Sequence, residues 1–201
     1  MSARTLPGGA ASLLAALLLA LAGTTLLAGC VPAVVAVGAG ATALVVTDRR
    51  TTGAQADDQA IEFRVLTSAG SSWGNEVHLN VTSYNGRVLL TGEAPTAAIR
   101  DEITQIARGA ERVRSVTNEM LVGPTVGLQG RTNDTYLTSL VKSRFVEGSQ
   151  QFSATQVKVV TERSVVYLIG IVTREEGDAA ARIAATTAGV ARVVKLFEYM
   201  N

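Results

Sequence analysis

Two side chains in this sequence are chemically singular: Cys30 is its one cysteine and His78 its one histidine. Cys30 therefore has no partner for an intramolecular disulfide. A single imidazole excludes a His-rich metal site, and any Ser-His-Asp triad would have to be built on His78. That residue lies between Val77 and Leu79 in a stretch of alternating polarity, pointing away from both, so it is expected as a solvent-facing strand residue. No Gly-x-Ser-x-Gly elbow, phosphate-binding loop or paired zinc-ligand motif occurs. Without such constellations the chain is not expected to be an enzyme or to hold a metal. The remaining candidate is a helical surface. If Leu137, Val141 and Phe145 face a core, Tyr136, Leu140 and Ser143 turn outward at 100° per residue, with Lys142 and Arg144 flanking them. An aromatic ring and a leucine beside two cations suit a membrane interface, where Tyr sits at headgroup level and cations meet anionic phosphate. The same face could instead pack on another part of the chain.

Cys30 ends a recognisable segment. The first 29 residues hold one charge, Arg4, then an apolar run from Leu13 to Leu27 and small residues, which is the pattern of a secretory signal. The run is shorter than the roughly 20 residues of a permanent span. Leu27-Ala28-Gly29-Cys30 resembles the lipobox of bacterial lipoproteins. That resemblance implies cleavage before Cys30, a diacylglycerol on its thiol and an acyl chain on its amino group, with no other cofactor. Several such chains would hold the protein on a membrane almost permanently. Val31, where an inner-membrane retention signal has aspartate, implies the outer membrane.

The expected order is a signal peptide over 1–29, an acylated cysteine and flexible glycine-rich tether over 30–56, a first domain over 57–123, a linker over 124–133 and a second domain over 134–201. The whole chain has 18 basic and 17 acidic side chains, and losing Arg4 would leave 17 of each. Such balance argues against general nucleic-acid binding. The first domain carries net −3 and the second net +1, so an anionic surface would prefer the second.

Two domains are inferred from an internal repeat. Val81, Val88, Leu90 and Gly92 match Val159, Val166, Leu168 and Gly170 at an offset of 78 residues. After a one-residue slip, Thr96, Asp101, Ile106, Val113 and Val116 match Thr173, Asp178, Ile183, Val190 and Val193. Each copy reads as helix, strand, strand, helix, strand, an α+β unit with a small three-stranded sheet packed by two helices. Asp57-Asp58 and Asn133-Asp134 are expected N-caps of the first helices. Asn85-Gly86 suits a type I′ hairpin, whereas Glu162-Arg163-Ser164 is a less ideal turn.

The αββαβ unit with its Val-x-Leu-x-Gly strand end, and the late Gly189-Val190-Ala191-Arg192-Val193, resembles the BON domain. Two copies behind a lipobox resemble the dual BON-domain outer-membrane lipoproteins, a likeness that covers about three quarters of the chain. The resemblance implies a periplasm-facing protein that binds anionic phospholipid and supports outer-membrane integrity, without catalysis. On that basis the site is Tyr136, Leu140, Lys142, Ser143 and Arg144, with Cys30 for lipidation. The alternative is an adaptor that engages envelope proteins through the same helix or a strand edge.

Overall fold

The computed structural model describes residues 48–125, 127–148 and 152–200. Cys30, the signal segment and most of the expected tether lie outside the described residues. The first copy consists of α1 (Thr52–Trp73), β1 (His78–Tyr84), β2 (Arg87–Ala94), α2 (Ala97–Gly109), β3 (Ser115–Asn118) and β4 (Leu121–Val122). In the second copy these correspond to α3 (Leu128–Glu147), β5 (Val157–Glu162), β6 (Val165–Val172), α4 (Arg174–Ala185) and β7 (Arg192–Tyr199). β2 and β6 are the central strands. Each pairs antiparallel with the strand before it and parallel with the strand after the helix. A parallel return needs a crossover, and α2 and α4 supply it. Their starts are set by Thr96, whose hydroxyl accepts from Ile99 N–H, and by a capping box between Thr173 and Glu176.

Both hairpins close with two residues at positive φ, Asn85 (52°) with Gly86 (73°) and Arg163 (51°) with Ser164 (62°). Asn-Gly adopts this geometry readily; Arg-Ser does not, so the second turn needs outside support. Asp134 provides it. Its carboxylate accepts from Arg163 N–H and Ser164 N–H, both at 2.8 Å. Asp58 does the same in the first copy, accepting from Asn85 N–H at 2.7 Å, Gly86 N–H at 2.8 Å and Ser83 Oγ at 2.7 Å. These aspartates are therefore not the expected caps. α1 begins at Thr52, capped by Thr51 Oγ1 on Ala54 N–H, and α3 begins at Leu128 behind Gly127. Each aspartate sits within its helix and latches it to the hairpin.

The glycine that ends Val-x-Leu-x-Gly has a steric cause. A Cβ on Gly92 would stand 2.0 Å from the His78 carbonyl oxygen, and one on Gly170 2.3 Å from that of Gln156.

In each copy the helices cover one sheet face. Ile61, Val65, Ile103 and Ala107 pack on Val81, Val88 and Leu90 in the first, and Val141, Phe145, Ala180 and Ala184 on Val159, Val166 and Leu168 in the second. The opposite faces meet each other. Tyr84 and Leu89 join Tyr167 and Ile169 in a third buried cluster, flanked by Val160, Val194 and Leu196. The copies thus share a core along a seam.

Residues 48–56, expected as part of a flexible tether, are instead structured: Arg49 and Arg50 reach the two copies, and 52–56 open α1. Arg49 bonds both carboxylate oxygens of Glu176, at 2.6 and 2.8 Å, and the Ile171 carbonyl at 2.8 Å. Arg50 bonds Asp58 at 2.8 Å and lies 3.9 Å from the centre of the Tyr84 ring. The expected linker over 124–133 likewise ends early, because α3 already occupies residue 128.

Burial would raise the Asp58 carboxyl, but hydrogen bonds from Gly86, Ser83 and Asn85 and the Arg50 guanidinium outweigh it and hold it below the usual range. Its stabilisation is present above the unfolded-state pKa of about 4 and is lost as pH falls through the lower folded value. Asp58→Ala should cost about 3 kcal/mol and Asp134→Ala about 2 kcal/mol in urea unfolding. The gap between the wild-type chain and Asp58→Asn should narrow below about pH 4; a gap independent of pH would count against this account.

Candidate functional site

The core face of α3 is fixed by Leu137, Val141 and Phe145, all buried, with Phe152 edge-on to Phe145 at 5.0 Å. That orientation turns Tyr136 outward, where it is 63 % exposed. Ser143 and Lys142 are also exposed, and the Ser143 hydroxyl donates back to the Leu140 carbonyl at 2.9 Å. Leu140 is only partly buried. Arg144 departs from expectation. Its guanidinium donates to the Ile183 carbonyl at 3.2 Å and to Thr187 Oγ1 at 2.9 Å, so it ties α3 to the end of α4. Arg144 is a structural residue here, and Lys142 is the outward cation of the set.

Sequence reasoning missed Val146, 65 % exposed one turn beyond Lys142. It also missed Phe63, 73 % exposed on α1. Both were legible in the helical period: Phe63 falls off the stripe of Ile61 and Val65, and Val146 off that of Val141 and Phe145.

His78 does not face solvent. The face of β1 opposite Val77 and Leu79 is turned to the second copy, and the His78 side chain is 15 % exposed. Its Nδ1 lies 3.0 Å from Glu93 Oε2, the cross-strand neighbour, and 4.0 Å from Glu162 Oε1 at the end of β5. Burial pushes the Glu162 carboxyl up, against a lowering contribution from the Asn80 amide that bonds it at 2.8 Å. Elsewhere in the seam, acids of the first copy meet bases of the second, Glu62 with Lys158 at 3.1 Å, Glu93 with Arg163 at 3.5 Å and Glu119 with Arg192 at 3.4 Å, while Arg114 of the first meets Glu198 of the second at 3.2 Å. Glu119 also accepts from Tyr167, whose hydroxyl is pushed up to about 12 by burial first and by Glu119 second. Part of the first copy's acidity is thus answered inside the protein. Among the described residues, no helix is long and apolar enough to cross a membrane.

The BON domain family model matches residues 57–124 and again 133–201, which is most of the chain. The chain belongs to the BON family. As a dual BON-domain protein it is similar to the outer membrane lipoprotein DolP of Haemophilus influenzae, at 43 % identity over 90 % of this chain and 94 % of that protein. It is also similar to a 21 kDa hemolysin of Actinobacillus pleuropneumoniae, at 37 % identity over 77 % of this chain and 80 % of that one. Among solved structures, the C-terminal domain of CdsD, a structural protein of the type III secretion system of Chlamydia trachomatis, aligns at 9 % identity. It covers 69 % of this chain and 96 % of its own, with a TM-score of 0.30.

Within the second BON copy, Arg144→Gln should lower unfolding stability by about 1.5 kcal/mol through loss of its bonds to α4. Vesicle binding by the folded variant should be unchanged; a selective loss of binding with stability intact would return Arg144 to the exposed site.

Proposed function

We propose that this protein is a lipid-anchored, periplasm-facing component of the outer membrane whose second BON copy binds anionic phospholipid through α3, supporting membrane integrity without catalysis. The observation that carries the reading is the exposure of Tyr136 and Val146 on one helix together with Lys142, since the structure leaves these apolar side chains without a packing partner's full cover. Their chemistry suits a headgroup boundary: a phenol ring at the interface, a branched aliphatic group below it and an ammonium beside the phosphates. The resemblance of Leu27-Ala28-Gly29-Cys30 to a lipobox supports acylation of Cys30, and the similarity to a protein named as an outer membrane lipoprotein supports the location. With the anchor supplying residence on the membrane, α3 needs only weak affinity to lie flat, because the second contact is intramolecular.

A protein partner is the second reading. It is favoured by β4, a two-residue strand whose Leu121 and Val122 are each 48 % exposed.

In vesicle co-sedimentation, Tyr136→Ala should weaken binding to phosphatidylglycerol-containing vesicles about tenfold, as should Val146→Asp. Lys142→Glu should weaken it about fivefold at low salt and less at high salt. Wild-type binding that is indifferent to lipid charge, with all three folded variants unchanged, would move the function to the protein partner.

A further inference from the structure

We propose that His78, Glu93 and Glu162 form a binding site for one divalent transition-metal ion of the zinc class, built across the seam between the two BON copies. His78 and Glu93 come from β1 and β2 of the first copy and Glu162 from β5 of the second, so neither copy holds the site alone.

The three side chains each offer one donor atom, and those atoms all lie within 4.8 Å of one another. Tetrahedral ligands at about 2.0–2.2 Å from a zinc ion stand about 3.5 Å apart. His78 Nδ1 lies 3.0 Å from Glu93 Oε2 and 4.0 Å from Glu162 Oε1, to either side of that spacing. The carboxylates are held for the purpose. Glu93 directs Oε1 at Arg163 Nη1, 3.5 Å away, and Oε2 at His78 Nδ1. Glu162 accepts from Asn80 through Oε2 and turns Oε1 toward the same nitrogen. Outer partners that fix one oxygen and aim the other are how proteins orient metal-binding carboxylates.

Two glutamates side by side are costly when withdrawn from water, and here they are 1 % and 7 % exposed. Arg163 answers Glu93 from one side, and a dication would add the further positive charge at the point where His78, Glu93 and Glu162 converge. One imidazole with two carboxylates and no thiolate is a borderline donor set, suited to zinc rather than to copper(I) or to an all-oxygen calcium cage. A cleft of about 230 Å³, lined by His78, Asn80, Arg131, Asp134, Thr138 and Glu162 among others, opens onto two of the three ligands, His78 and Glu162. It gives an ion a way in and a water a place in the fourth position. Bound there, the ion would cross-link the copies and raise their joint stability by mass action.

The test uses the full chain without a histidine tag, stripped with chelator and held in neutral detergent. Because His78 is the one histidine, its ring nitrogens report on the site in the unmodified protein. Zinc chloride should bind saturably at one ion per chain by calorimetry, shift the imidazole Nδ1 resonance and raise the unfolding temperature. His78→Gln and Glu162→Gln should each weaken binding at least about tenfold, while Glu111→Gln, at an exposed position, should not. An unmoved imidazole signal under excess zinc, or full binding by the doubly substituted His78→Gln and Glu162→Gln chain, overturns the proposal.

Discussion

A small sheet, four-stranded in the first BON copy and three-stranded in the second, has two faces, and each copy has helices to cover only one. The uncovered faces are apolar in both copies, Tyr84 and Leu89 on one and Tyr167 and Ile169 on the other, and they cover each other. Most of what distinguishes this protein from two beads on a string follows from that pairing. The central strands are apolar at consecutive positions, Val88-Leu89-Leu90 and Val165 to Ile171, because neither of their faces meets water. Polar residues displaced to the rim of the shared face become cross-copy partners, which is how Glu62, Glu93 and Glu119 come to face Lys158, Arg163 and Arg192. What is left for solvent or membrane is the outside of the helices, and α3 presents Tyr136 and Val146 there.

The rim depends on the hairpin turns being held in place, and that is the work of Asp58 and Asp134. A carboxylate buried in a helix is destabilising unless it is fully bonded. Here each accepts two consecutive backbone N–H groups from a turn that would otherwise leave them unpaired. The need is greater in the second copy, where Arg163 and Ser164 lack glycine's tolerance of positive φ. Asp134 therefore secures the turn that follows Glu162 and carries Arg163, and through them one side of the seam.

The repeat and the αββαβ order were legible because they rest on local signals, matched valines and an Asn-Gly turn, whereas the caps at Thr96 and Thr173 came from the structure. The roles of Asp58 and Asp134 were not, since a helix-starting aspartate and a mid-helix latch look alike when the bonded partner lies nearly 30 residues away. His78 was misplaced for a similar reason. Alternation says which way a strand residue points but not what stands there, and a second domain took the place of water. Arg144 shows the limit on the candidate site: periodicity gave its side of the helix, while a long side chain reached around to α4. The double-sided apolar run of β6 was the one sequence signal that announced the seam, and read as a strand buried on both faces it would have predicted a covering partner.

Where the chain enters this assembly matters mechanically. Asp48, Arg49 and Arg50 lie ahead of the first helix, and the two arginines grip different copies: Arg49 through Glu176 and the end of β6, Arg50 through Asp58 and Tyr84. A pull arriving along the backbone from residue 47 is consequently divided at once between the two halves of the protein. To peel α1 away from its sheet, such a pull must first break the Arg49 and Arg50 contacts that lie ahead of it. A protein held by one end at a fluctuating surface would keep its folded shape under such tugging with no stronger core than it already has.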